Sequence, residues 1–257
     1  MEPHVFPRWH LVSLRPQGRH DALRAAVRRH GGSVLALSTC RLEPIDDAQA
    51  RARLAAALAT ELAIFTSPAA VSAANALQAL GDLPGLHALA VGEGTAAALR
   101  RLGVAKTSQP ARMDSEGLLG MPVLQHVDGR RIGLVTAPGG RGLLQPGLEA
   151  RGATVLRADV YRRQPVMPSP RAIEALARMR SPAVVALSSG EAMAQALSHL
   201  PAGHAARLCA LPAVASSARL AAKAREAGFG TVAIAAGPRP AALVEAALEL
   251  LGERRDT

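Results

Sequence analysis

The chain repeats itself at an offset of 121 residues, so whatever fold it adopts must be built twice. His30-Gly31-Gly32-Ser33-Val34 aligns with Arg151-Gly152-Ala153-Thr154-Val155, and the same offset sets Arg41 on Arg162 and Pro44 on Pro165. Each copy reads as a short apolar strand (residues 11–14 and 132–135), then an Ala/Leu/Arg helix (21–29 and 142–150). A Gly turn and a second strand (34–38 and 155–160) follow. Glycine suits the end of each helix, because it alone takes the left-handed conformation at little cost.

Three further pairs extend the repeat. Ala63-Ile64-Phe65-Thr66-Ser67-Pro68 begins a helix through residue 77, and Val185-Ala186-Leu187-Ser188-Ser189-Gly190 begins one through residue 197, an offset of 122. Leu89-Ala90-Val91-Gly92 opens a helix over 95–102, and Cys209-Ala210-Leu211-Pro212, about 120 residues on, is expected to open the helix running to 227. Helix entries at Ser115-Glu116-Gly117 and at 238–240 make the fourth pair. Apolar runs of four to six residues alternating with longer helices predict parallel sheets covered on both faces. The fold class is therefore α/β, doubly wound and duplicated. The proline-marked stretches 41–47 and 162–170 each follow a second strand and read as linkers. A chain leaving one domain at the first and returning at the second makes two crossovers side by side. Such an arrangement predicts a cleft between the domains, faced by strand-to-helix turns of both.

Composition narrows the function. No apolar run reaches the length of a membrane span, and residues 1–9 lack the apolar stretch of a signal peptide, so a soluble cytoplasmic protein is expected. Cys40 and Cys209 lie in apolar contexts without a CxxC partner, against a disulfide framework or a zinc site. The net charge is +10, and the basic residues are almost all Arg, with only Lys106 and Lys223 as lysines. Those arginines are dispersed and only five residues are aromatic, which argues against nucleic acid; a generally solvated Arg surface and a small, strongly anionic substrate steered in by positive potential fit equally well.

Ligands of doubly wound sheets bind at the carboxyl ends of the strands, so the turns there are the candidates. They are Arg15-Pro16-Gln17-Gly18, Thr66-Ser67-Pro68, Gly92-Glu93-Gly94-Thr95, Asp114-Ser115-Glu116-Gly117, Pro138-Gly139-Gly140-Arg141, Ser188-Ser189-Gly190 and Gly237-Pro238. Free N–H groups at helix starts suit carboxylates or phosphates; the competing account is that each Ser or Thr is simply a helix cap. Gly92-Glu93-Gly94-Thr95-Ala96-Ala97 approximates a dinucleotide fingerprint but falls on a middle strand, where that fingerprint does not belong. No P-loop, no HExxH and no GxSxG elbow is present, and His20, His30 and His126 read as surface residues. Tyr161, the one tyrosine, stands at a crossover point, as either a packing aromatic or a functional hydroxyl.

Together these residues resemble the uroporphyrinogen-III synthase family. The resemblance is carried by 64–71, 90–96, Asp114-Ser115-Glu116-Gly117-Leu118-Leu119, and Gly139-Gly140-Arg141-Gly142-Leu143-Leu144 through Val160-Tyr161-Arg162-Arg163, with Arg15-Pro16 after the first strand. It covers about residues 11–251 and is loosest over 209–230. Glu93 stands where proline is commoner, and Ala137-Pro138 where Arg-Gly is usual. The resemblance implies two α/β domains joined by a two-stranded connector: 1–38 with 168–257, and 39–167 including connector segments 39–47 and 161–167. It implies a cofactor-free, metal-free cyclising hydro-lyase acting on hydroxymethylbilane. The substrate loses water, ring D is attacked and inverted through a spiro intermediate, and uroporphyrinogen III closes. It implies Tyr161 as the proton donor to the leaving hydroxyl. Substrate contacts are then expected from Arg15, Thr66, Ser67, Gly92, Thr95, Ser115, Gly139, Gly140, Ser188, Ser189 and Gly190. A monomer receiving its substrate from hydroxymethylbilane synthase, without nucleic acid or membrane, completes the expectation. The alternatives are a non-enzymatic binding module for an anionic metabolite and a nucleotide-dependent oxidoreductase.

Overall fold

The computed structural model describes residues 9–81, 83–139 and 142–253. The chain starts with β1 (His10–Ser13), α1 (Asp21–Arg28), β2 (Ser33–Ala36) and β3 (Cys40–Pro44). It continues through α2 (Ala48–Leu58), β4 (Leu62–Phe65), α3 (Pro68–Leu77), β5 (His87–Ala90), α4 (Glu93–Arg101), β6 (Lys106–Ser108) and the short α5 (Ser115–Leu119). Next come β7 (Arg131–Thr136), α6 (Leu144–Glu149), β8 (Thr154–Asp159), β9 (Tyr161–Pro165), α7 (Pro170–Arg178), β10 (Ala183–Leu187) and α8 (Gly190–His199). The last elements are α9 (Ala202–Ala210), β11 (Ala213–Ala215), α10 (Ala218–Glu226), β12 (Val232–Ile234) and α11 (Pro240–Glu253).

These elements form two compact units, Met1–Arg41 with Gln164–Thr257, and Leu42–Arg163. Each holds a five-stranded parallel sheet, ordered β12-β11-β10-β1-β2 in the first and β6-β5-β4-β7-β8 in the second. The repeat explains why the orders match. An offset of about 121 carries β1 onto β7 and β2 onto β8, while β4 maps onto β10. Even the register is carried over, since Leu11 lies beside Val184 as Ile132 lies beside Leu62. Each unit therefore takes two strands from one repeat and three from the other. β3 and β9 pair as a separate two-stranded sheet, and both boundaries between the units fall within these strands. Ile45 N–H donates to Val160 O and Val166 N–H to Thr39 O, so the pair runs antiparallel.

Local chemistry fixes the elements. Asp47, Ser67, Ser169, Ser189 and Ser217 each accept a backbone N–H three residues on, capping α2, α3, α7, α8 and α10; Pro68 and Pro170 occupy first helical positions. Gly31 and Gly152 both take positive φ after their helices, as the repeat predicted. All residues of β4 and β10 are buried, as expected of strands with helices on both faces. Gly133 serves a different need: a Cβ there would run into the Ala57 carbonyl oxygen, so the absent side chain lets α2 lie against β7.

One expectation is corrected. Cys209 and Ala210 do not open a helix; they end α9, and the strand follows at β11 before α10. The extra helix α9 slips the repeat by several residues. The two-stranded connector expected at 39–47 and 161–167 is present as the paired strands β3 and β9, in which the backbone satisfies its own polar groups.

Candidate active site

In the second unit the chain runs outward from β4 to β5 and β6, then resumes on the other side of β4 at β7. The carboxyl ends of β4 and β7 therefore flank the topological switch point, where open α/β sheets hold ligands. Thr66 follows β4 and Thr136 ends β7; the Thr66 hydroxyl donates to Thr136 Oγ1 at 2.8 Å. Ser67 caps α3 by accepting the Ala70 N–H at 3.0 Å. Its Oγ also lies 3.2 Å from the Tyr161 hydroxyl. Tyr161 begins β9, only 4% exposed, and the Arg163 guanidinium carbon stands 5.7 Å from its ring centroid.

These groups share the wall of a cavity of about 240 Å³ contained in this unit. Hydroxyls of Thr66, Ser67, Ser115, Thr136 and Tyr161 line it, with Arg157 and Arg163 as cations and Leu134, Leu143 and Leu144 as apolar wall. Arg157 is locked in place. Its Nε donates to Asp159 at 3.1 Å and its Nη2 to the Ala137 carbonyl at 3.2 Å. That second bond holds the turn after β7. Gly139, in the same turn and also lining the cavity, has φ +83°, a left-handed conformation that favours glycine; a Cβ would meet nothing within 4 Å, so conformation and not space selects it.

The structure gathers Thr66, Ser67, Ser115, Gly139 and Tyr161 from among the residues singled out by sequence. Gly92 caps α4 with extended backbone next to the lining residue Val91, while the side chain of Thr95 is buried and outside the lining. Gly140 lies outside the described residues. Thr136, Arg157 and Arg163 line the cavity and were not foreseen. The spacing of Arg157 and Asp159 on one strand, two apart and so on one face, was the available signal for their pairing.

Arg15, Ser188, Ser189 and Gly190 belong to the first unit, at the matching switch point between β1 and β10. Arg15 Nη2 donates to the Pro238 carbonyl at 3.2 Å, and burial lowers the pKa of this arginine. Ser189 caps α8 through the Ala192 N–H at 3.2 Å, with Ser188 exposed before it. His30 and His126 are exposed as expected, but His20 is not a surface residue. It is buried, with Nδ1 3.0 Å from Ser13 Oγ and Nε2 2.8 Å from Ser38 Oγ. A hydroxyl at each ring nitrogen lets the imidazole join the ends of β1 and β2. Burial, helped by Arg24 and Arg15, lowers its pKa to about 4. Among the described residues no three His, Cys, Asp or Glu side chains gather as a metal site, and no helix is long and apolar enough to cross a membrane.

Residues 21–245 match the family model described as uroporphyrinogen-III synthase HemD. The uroporphyrinogen-III synthase of Escherichia coli (strain K12) is 36% identical over 151 residues, 57% of this chain and 60% of the relative's own length. A mutant uroporphyrinogen III synthase of the extremely thermophilic bacterium Thermus thermophilus shares the fold with a TM-score of 0.61 at 22% identity, over 96% of this chain and 97% of that one. The uroporphyrinogen-III synthetase of Helicobacter pylori 26695 does so with a TM-score of 0.62 at 17% identity, over 96% and 99%.

Proposed function

The chain belongs to the uroporphyrinogen-III synthase family, and from that premise we propose that it converts hydroxymethylbilane into uroporphyrinogen III. The observation that carries this reading is the buried Tyr161 hydroxyl on the wall of the switch-point cavity, beside Ser67 and beneath Arg163. Dehydration needs one proton at the departing hydroxyl. A phenolic hydroxyl carries such a proton. Its O–H bond breaks as the C–O bond breaks, water leaves, and the pyrrole nitrogen supplies the electron pair that forms the azafulvene system. The phenolate balances the resulting cation until ring closure returns a proton.

The remaining work is conformational. The linear tetrapyrrole carries eight carboxylates and closes spontaneously to the wrong isomer, so the protein must hold it folded while ring D inverts. Orientation of this kind is worth up to about 7–11 kcal/mol in favourable cases. Backbone N–H groups at the Ser67, Gly92, Ser115 and Gly139 turns act as carboxylate donors, whereas the Thr66 N–H is already given to the Val135 carbonyl and the Thr95 N–H to Gly92. Arg15 and the Ser188-Ser189-Gly190 turn offer the same chemistry in the first unit. A net charge of +10 favours encounter with such a polyanion. The enzyme works as a monomer fed by hydroxymethylbilane synthase.

The test supplies hydroxymethylbilane and separates the type I and type III isomers. Type III above the uncatalysed background is expected; type I alone would overturn the reading.

A further inference from the structure

Ser67 carries two hydrogen-bonding duties, and only one of them is structural. A serine hydroxyl has one proton and two lone pairs. One lone pair holds the Ala70 N–H and starts α3. At 3.2 Å from Tyr161, either hydroxyl of the pair can be the donor. If the phenol donates to Ser67, its proton is turned away from any ligand. If Ser67 donates to the phenol oxygen, the phenolic O–H is free to turn into the cavity that both residues line.

The duplication separates capping from this second duty. Ser189 caps α8 in the first unit as Ser67 caps α3 in the second, each through the N–H three residues on. The residue 121 positions before Tyr161 is Cys40, which has no hydroxyl. A serine cap therefore recurs at both switch points, whereas a phenol beside it belongs to the second unit.

We propose that Ser67 is a positioning residue for Tyr161: its Oγ–H donates to the phenol oxygen, aims the phenolic proton at the substrate's leaving hydroxyl, and stays on the phenolate after transfer. No atom of Ser67 enters a bond-breaking step. The phenol proton moves to the departing oxygen, and the Ser67 hydrogen bond shortens onto the oxygen that gains charge. Hydrogen bonds to charged groups are the strong ones, so the bond is worth more in the transition state than before it. The inference rests on the synthase reading given above.

A double-mutant cycle tests it, with kcat and KM for type III formation from hydroxymethylbilane measured for Ser67→Ala, Tyr161→Phe and the double variant. Ser67→Ala is expected to lower kcat about tenfold to a hundredfold with KM within about twofold. Adding Ser67→Ala to Tyr161→Phe is expected to cost less than about twofold, because the group it acts through is gone. Ser67→Thr, which keeps hydroxyl and cap, is expected to recover most of the rate. Should Ser67→Ala fold poorly, Ser67→Gly removes the hydroxyl while leaving a residue that helix N-termini accept well. An equal kcat loss in both backgrounds, or a raised KM with unchanged kcat, overturns the positioning role while the synthase reading stands. An unaltered protein that makes no type III isomer overturns both.

Discussion

The hydroxyls of Thr66 and Thr136 meet at 2.8 Å across neighbouring strands, each at the carboxyl end where its strand leaves the sheet. The bond ties β4 to β7 beyond the last ladder pair, Phe65 with Val135. It also fixes the floor of the cavity, since both residues line it. Thr136→Val keeps the shape, removes the hydroxyl and strips Thr66 of its acceptor. An unfolding midpoint corresponding to a loss of about 0.5–1.5 kcal/mol is expected in urea titration. The double change Thr66→Val with Thr136→Val should cost less than the sum of the single changes, since no orphaned hydroxyl remains.

Tyr161→Phe keeps the ring under Arg163 and deletes the hydroxyl. General acid catalysis contributes about 10²–10⁴-fold, and a leaving group pushed out by a pyrrole nitrogen places this case at the low end, so about a hundredfold loss of kcat is expected. The melting temperature should barely move. Full turnover by the variant would reject the donor role, and joint loss of stability and activity would make Tyr161 a packing aromatic.

Gly133→Ala adds one methyl group where β7 meets the Ala57 carbonyl of α2. Backbone on both sides must shift, with an expected cost of about 1–3 kcal/mol and a corresponding fall in the melting temperature. Gly139→Ala meets no such obstacle; its cost is the strain of a left-handed residue, about 1 kcal/mol, and an effect on KM larger than on stability is expected.

His20 makes the first unit sensitive to acid. Its pKa is about 4 in the fold against 6.5 for the free side chain, so the unfolded chain binds the proton that the folded one refuses. The stability it supports is present above about pH 6.5 and is lost as the pH falls towards 4. Chemical denaturation between pH 7 and 4 should show stability declining with a slope of up to one proton from this residue. His20→Gln, which keeps polar atoms near Ser13 and Ser38 but does not titrate, should flatten that slope.

The sequence by itself determined the architecture. The 121-residue offset, with glycine after each helix and apolar runs too short for helices, specifies two similar parallel sheets, because periodicity and turn chemistry are local properties. It also determined the family, and it brought Thr66, Ser67, Ser115 and Tyr161 forward as candidates from their places at strand ends and at a crossover. Where a helix was inserted, at Ala202–Ala210, the same reasoning slipped, since a repeat offset carries no warning of an extra element. Only the tertiary structure decided which hydroxyls touch. Ser67 and Tyr161 are 94 residues apart and Thr66 and Thr136 are 70 apart, and their meeting depends on strand order, which no local pattern encodes. The same holds for His20: a histidine beside an aspartate at a helix start reads as solvated. Its burial follows from Ser13 at the end of β1 and Ser38 just past the end of the adjacent β2, each offering a partner to one ring nitrogen.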